Sequence, residues 1–258
     1  MIKIRSTSVP YNQPLTNQET EAAVAVIDFT NECFESLGLG IGPADLQVIK
    51  HPNRGYPQFC PQSRNSELPC DQIYLDMDSL TFWCQLIFQA SHEFTHCVIH
   101  RLNSHEDQKA LWIEETICEA MSLVLLNIFA NNWSRCALSK INLSFTVSIQ
   151  NYLVDQLKER GNYRLGNCRG IEELQEINRT SENQRADRRE ERNWLFYLIQ
   201  STVDIQALVH YRDFVAPGTI LLDAQRYQDE YPASLPVQYL CSLQEEALRR
   251  DTVIAGTS

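Results

Sequence analysis

The segment Ser91-His92-Glu93-Phe94-Thr95-His96-Cys97 sets two imidazoles four residues apart, with a carboxylate directly after the first. On a helix, residues four apart share one face, with Cβ atoms about 5–6 Å apart. Two imidazoles so placed can converge on one Zn²⁺ at about 2.0–2.1 Å. Glu93 cannot join the same ion without distorting the helix. It can reach a water held there, where a general base is needed. The flanking residues are apolar: Phe82, Trp83, Leu86, Ile87, Phe88 and Ala90 before the motif, Val98 and Ile99 after it. Burying a His-Glu-His cluster in such a helix is costly unless a metal compensates it. The plainer alternative is a core helix whose histidines bond carbonyls.

Catalytic zinc takes three protein ligands and keeps one position open. His100 lies a further turn on and points past an ion seated between His92 and His96; His105 falls in the connecting loop. A metzincin would carry Gly and His where this chain has Ile99 and Leu102, so that pattern fails. Downstream, Trp112-Ile113-Glu114-Glu115 opens a second helix, with Glu119 one turn later. Either Glu114 or Glu115 could supply a carboxylate.

These residues resemble the gluzincin clan of zinc peptidases, in which HExxH is followed by a Glu ligand on the next helix. Eighteen residues separate His96 from Glu115, the spacing of the clan's aminopeptidase branch, and Trp112-Ile113-Glu114-Glu115 looks like that branch's W-L-N-E segment. The resemblance spans about Gln72 to Leu126. It implies a zincin-like domain, a third ligand at Glu115, and a role for Glu119 in accepting the Nδ1 proton of His92 to fix its tautomer. The branch's G-x-M-E-N segment is absent, and Glu114 to Glu119 matches the thermolysin N-E-x-x-S-D segment only in part. The implied activity is hydrolysis of peptide bonds with one Zn²⁺, Glu93 taking the proton of the attacking water and passing it to the leaving amine. Tyr163, Tyr197, His210 and Tyr211 are candidates for an oxyanion donor, and nothing in the sequence selects among them.

The elements that must position these groups read as follows. Thr16 to Leu37 is an amphipathic helix, Gly38 to Pro43 a turn, and Asp45 to Lys50 and Gln72 to Met77 short strands around a loop at His51 to Pro69. The second of these strands could be an edge receiving an extended peptide or could simply pair within the sheet. Helices follow at Leu80 to Arg101 and Gln108 to Asn131, with a break at Asn103 to Asp107. Further helices read at Leu143 to Glu159, Arg185 to Val209, Thr219 to Tyr227 and Pro236 to Arg249. The expected fold is α+β and mainly helical, with a small sheet beside the active-site helix. A metal-binding half over residues 1–160 is followed by a helical half over 161–258 that closes the cleft.

Composition narrows the function classes. The chain has 258 residues, 43% hydrophobic and 21% charged, with a net charge of -11. That balance suits a globular protein and argues against a nucleic-acid partner. The mixed run Arg179 to Arg192 reads as a solvated helix face. The start, Met1 to Pro10, is not a secretory signal, and no apolar run reaches the length of a membrane span. Nine cysteines without CxxC spacing suit reduced thiols in a cytoplasmic protein, with a Cys60–Cys70 pair as the alternative were it exported. The expected partner is a peptide or protein substrate. The competing functional readings are a non-catalytic protein that keeps the metal for folding or peptide recognition, and a toxin-like protease effector.

Overall fold

A computed structural model of the chain describes residues 3–8, 15–42, 45–64, 67–103, 108–159, 161, 163–184, 188–202 and 204–254. The chain is α+β and mainly helical, with a four-stranded sheet. It divides into two compact units, one of residues 1–102 and 121–156, the other of 103–120 and 157–258.

In the first unit, β1 (Lys3–Ser8), β2 (Asp45–Lys50), β3 (Gln58–Cys60) and β4 (Asp71–Leu75) form a sheet in the order β1-β2-β4-β3. β1, β2 and β4 are parallel, and β3 runs antiparallel to β4 at the edge. Parallel neighbours need a crossover, and α1 (Asn17–Ser36) supplies the one between β1 and β2. Its start is written locally: Thr16 Oγ1 accepts from Glu19 N at 3.2 Å, and Glu19 Oε2 accepts from Thr16 N at 3.2 Å. Glu19 Oε1 also accepts from Lys50 Nζ at 2.6 Å and Leu80 N at 3.3 Å. One carboxylate thus ties the helix start to the end of β2 and to the lead-in of α2 (Trp83–Leu102). Of the two roles open to the second strand, pairing within the sheet holds: β4 is bonded on both sides, to β2 and β3. β3 and β1 lie in stretches where no strand was expected.

α2 packs on β4, β3 and α1. Its last turn is pinned where Arg101 Nε donates to Asp71 Oδ2 at 3.0 Å, while Asp71 Oδ1 accepts from Gln62 N at 2.9 Å. The expected break at Asn103 to Asp107 lies, from residue 104 on, outside the described residues. α3 (Leu111–Asn132) contributes residues 111–120 to the second unit and 121–132 to the first. Three short 3-10 turns follow, then α4 (Thr146–Lys158). The Trp83, Trp133 and Phe145 rings cluster at this end in tilted and edge-on contacts, with centroids 4.8–6.0 Å apart.

The second unit adds α5 (Ile171–Thr180), α6 (Arg189–Thr202), α7 (Gln206–Val209), α8 (Ala224–Glu230) and α9 (Leu235–Ile254), and α9 meets each of the other four. α5 was not foreseen. The helix expected at Thr219 to Tyr227 starts later, because Val215 and Leu222 form a β-bridge and Asp223 Oδ1 caps α8 by accepting from Arg226 N at 3.1 Å. Gly218, at φ 71°, makes the turn that lets the bridge close.

Candidate metal centre

His92, Glu93 and His96 sit in the middle of α2, where every residue from Ala90 to Ile99 is buried. The apolar side chains around them explain why: Leu86, Ile87, Phe94, Val98 and Ile99 are fully enclosed, and Phe94 packs on Phe34 with ring centroids 5.6 Å apart. Thr95 turns its hydroxyl back to Ser91 O at 2.7 Å, as helical threonines do. The helix is held by carbon on several sides, and its imidazoles meet: His92 Nε2 and His96 Nε2 are 3.2 Å apart. Two nitrogens at about 2.0–2.1 Å from one tetrahedral ion would lie about 3.3 Å apart. The pair therefore fits a metal's coordination edge as well as it fits a shared hydrogen. Glu93 Oε1 lies 3.8 Å from His92 Nε2, so the carboxylate borders the same imidazole. His100, a turn later, is turned away to Ser63 Oγ at 3.1 Å and the Phe59 ring. His105 lies outside the described residues.

In the second unit the first half of α3 carries Glu114, Glu115, Cys118 and Glu119, all buried. Glu114 is fully engaged. Its Oε2 accepts from Arg212 Nη2 at 2.8 Å, Arg212 Nε at 3.0 Å and the Tyr211 hydroxyl, and its Oε1 pairs with Lys109 Nζ at 3.2 Å. With its lone pairs so taken, Glu114 serves structure, which leaves Glu115 as the acid of this turn to consider as a ligand. Glu119 is no surface acid either: its Oε2 accepts from Arg192 Nη1 at 3.2 Å, with both side chains enclosed. Trp112 anchors the same turn, donating from its N to Asn178 Oδ1 at 3.2 Å and from Nε1 to Ile220 O at 2.9 Å.

One residue that sequence reasoning passed over belongs with these. Among the described residues, the set of His, Cys, Asp and Glu side chains able to hold a metal ion is His92, His96 and Cys118, all buried. Cys118 falls three residues after Glu115 on α3, a spacing that shares a helical face. That spacing was the available signal.

No protein-family model, no curated protein and no solved structure matches the chain.

Of the four oxyanion candidates, Tyr211 is corrected. Its hydroxyl is spent on Glu114, and burial together with that carboxylate holds its pKa well above the ordinary tyrosine value. Tyr197 is exposed on α6, and His210 and Tyr163 are half-buried. The run Arg179 to Arg192 is corrected as well. Its end is not a solvated face, because Arg188, Glu191 and Arg192 are buried; Arg188 Nη2 donates to Ser181 O at 2.8 Å and Glu191 Oε1 accepts from Leu165 N at 2.7 Å. Seven of the nine cysteines are buried, and Cys60 and Cys84 are half-buried. No helix among the described residues is long and apolar enough to cross a membrane.

Proposed function

We propose that the chain is a zinc-dependent peptidase of gluzincin type, acting in the cytoplasm on peptide or protein substrates, with His92, His96 and Glu115 holding the ion and Glu93 as general base. The observation that carries the reading is the 3.2 Å approach of the two Nε2 atoms inside a helix otherwise packed in carbon. Two buried imidazoles and a carboxylate beside them make an expensive core unless they serve an ion. When bound, zinc supplies Lewis-acid activation of water and of a scissile carbonyl. Glu93, one residue from a ligand and bordering its ring, is placed to take a proton from water as that water attacks a carbonyl carbon, and to return the proton to the departing amine. Nine cysteines scattered without CxxC spacing support a reducing compartment.

The expected result is that Glu93→Gln keeps its zinc and its fold while peptide hydrolysis falls about 10²–10⁴-fold, since an amide cannot accept the proton. Equal turnover by the variant would overturn the base assignment, and a wild-type chain that takes up no zinc would overturn the reading as a whole.

A second reading concerns the third ligand. The buried Cys118 favours a thiolate from the same face of α3. Measured zinc affinity decides it: loss in Glu115→Gln with retention in Cys118→Ser supports the carboxylate, and the reverse result supports the thiolate.

A further inference from the structure

On the surface of the first unit, α1 and the 3-10 turn Ala137–Lys140 line a groove of about 540 Å³. Its floor is carbon: Ala25 and Leu138 are buried, Val24 is half-buried, and Ile141 stands 65% exposed on the wall across from α1. Leu143 and Val147, both exposed, carry apolar surface on along the chain. The rim is ionic. Arg135 is already engaged, with Nη2 3.4 Å from Glu32 Oε2 and its guanidinium carbon 5.6 Å from the Phe29 ring centre. Among the described residues, no hydrogen bond or ion pair takes the carboxylate of Glu21 or Asp28, which line the same groove. These two acids lie two turns apart on α1, about 10 Å, with Val24 and Ala25 between them. The helix therefore presents Glu21-x-x-Val24-Ala25-x-x-Asp28 as a stripe of acid, carbon, carbon and acid.

We propose that this groove docks an amphipathic helix of a partner protein whose face reads basic, aliphatic, aliphatic, basic at the same spacing. Its Lys or Arg side chains meet Glu21 and Asp28, and its aliphatic pair enters between Val24 and Ile141. Charge complementarity chooses the occupant. Two carboxylates without cations, at the ends of one apolar strip, are matched by cations two turns apart on a facing helix. The stems of those basic side chains add carbon over the rim while their heads reach the acids. Lys140, exposed on the opposite wall, disfavours an occupant that is cationic all round, such as a polyamine, and asks for a patterned one. The net charge of -11 steers a basic partner toward the chain at low salt. No residue of the groove belongs to the metal centre, so the inference stands apart from the zinc reading and either can fail alone.

The test is fluorescence anisotropy of a labelled Ala- and Gln-based helical peptide carrying Lys-x-x-Leu-Leu-x-x-Lys, titrated with the full chain. That pattern reads the same in both directions, so the orientation of the docked helix need not be known. The wild type is expected to bind it, with affinity falling as NaCl is raised. Ile141→Gln, at an exposed position, should weaken binding about tenfold. Glu21→Gln and Asp28→Asn should each weaken it about two- to fivefold, and Glu21→Lys/Asp28→Lys should abolish it. Unchanged unfolding midpoints keep these losses separate from folding. Attraction by overall charge, without a site, would cost as much in Glu172→Gln/Glu230→Gln, two exposed acids of the second unit, as in Glu21→Gln/Asp28→Asn. Equal losses in those two forms overturn the inference. So does equal binding of a peptide with Glu in place of both Lys, or no binding by the wild type. A chain that dimerises through this face and becomes monomeric in Ile141→Gln overturns the choice of a partner helix. Binding to phosphatidylcholine–phosphatidylserine vesicles that Ile141→Gln removes, beside indifference to the peptide, overturns it as well.

Discussion

Around the His92–His96 turn the first unit encloses carbon, whereas around the Glu114–Glu119 turn the second unit encloses ions. Leu86, Ile87, Phe94, Val98 and Ile99 surround the first; Arg212, Lys109, Tyr211 and Arg192 hold the second. Three arginines, Arg188, Arg192 and Arg212, rank among the largest fully buried side chains, and all three belong to the second unit. Hydrophobic burial is non-directional, so it can place a helix without saying where a polar head must aim. A buried cation–carboxylate pair gains little net stability over an apolar substitute, yet it fixes direction and punishes the loss of one partner. The two turns therefore divide the work: packing sets the imidazoles by setting their helix, and ion pairs set the acids atom by atom.

The largest expected effect of breaking that contrast is on the ionic side. Arg212→Met leaves Glu114 enclosed without its main cation and should cost about 3–5 kcal/mol in denaturant unfolding, while the double variant Glu114→Gln/Arg212→Met should recover most of the loss. A cost under about 1 kcal/mol for Arg212→Met would mean that Lys109 and Tyr211 suffice and that the second unit does not depend on its arginine.

Glu191 gives the next effect, and it is one of pH. Burial pushes its carboxyl up to about 7, against hydrogen bonds from the backbone at Leu165 and Gly166 and the nearby Arg188, which pull it down. A carboxyl whose folded value lies above its unfolded one stabilises the fold fully below the unfolded value. That contribution is lost as pH rises through the folded value. Stability should then fall between about pH 4.5 and pH 7 and stay level above it, by at most about 3 kcal/mol at 1.36 kcal/mol per unit. The difference between wild type and Glu191→Gln in unfolding midpoint across that range isolates the effect; a flat difference would place the group in the ordinary carboxylate range.

The smallest effect is on the carbon side. Ile99→Val, next to the motif, should cost about 0.5–1.5 kcal/mol and show no dependence on salt or pH. A loss several times larger, or one that zinc reverses, would show that packing at α2 is coupled to the ion after all and would blur the contrast between the turns.

What the sequence shows and hides follows the same division. α1 was legible because its capping box lies within four residues and its apolar positions recur at helical spacing, and β2 agreed with its expected bounds. The imidazole pair was legible because HExxH is a local pattern on one helix. The arginines were not. Arg212 and Glu114 lie 98 residues apart, and Arg192 and Glu119 lie 73 apart, so no spacing rule links them. Read alone, Arg188 and Arg192 belong to a charge run, and charge runs usually face water. β3 was hidden for another reason: three residues in a Pro-rich stretch become a strand only through their pairing with β4, Phe59 opposite Ile73. α5 opens at Gly170 without a side-chain cap, so no start signal preceded it.

The distribution of thiols has a practical consequence for chemical labelling. A thiol reacts as its thiolate, and burial pushes Cys33, Cys97 and Cys241 up to about 12 and Cys84 and Cys136 up to about 11. At neutral pH these five resist alkylation while the fold stands. Of the two half-buried thiols, Cys84 belongs to these five, while Cys60 lies on the edge strand β3. Alkylation at neutral pH followed by mass spectrometry of the native chain is expected to leave these five thiols unmodified.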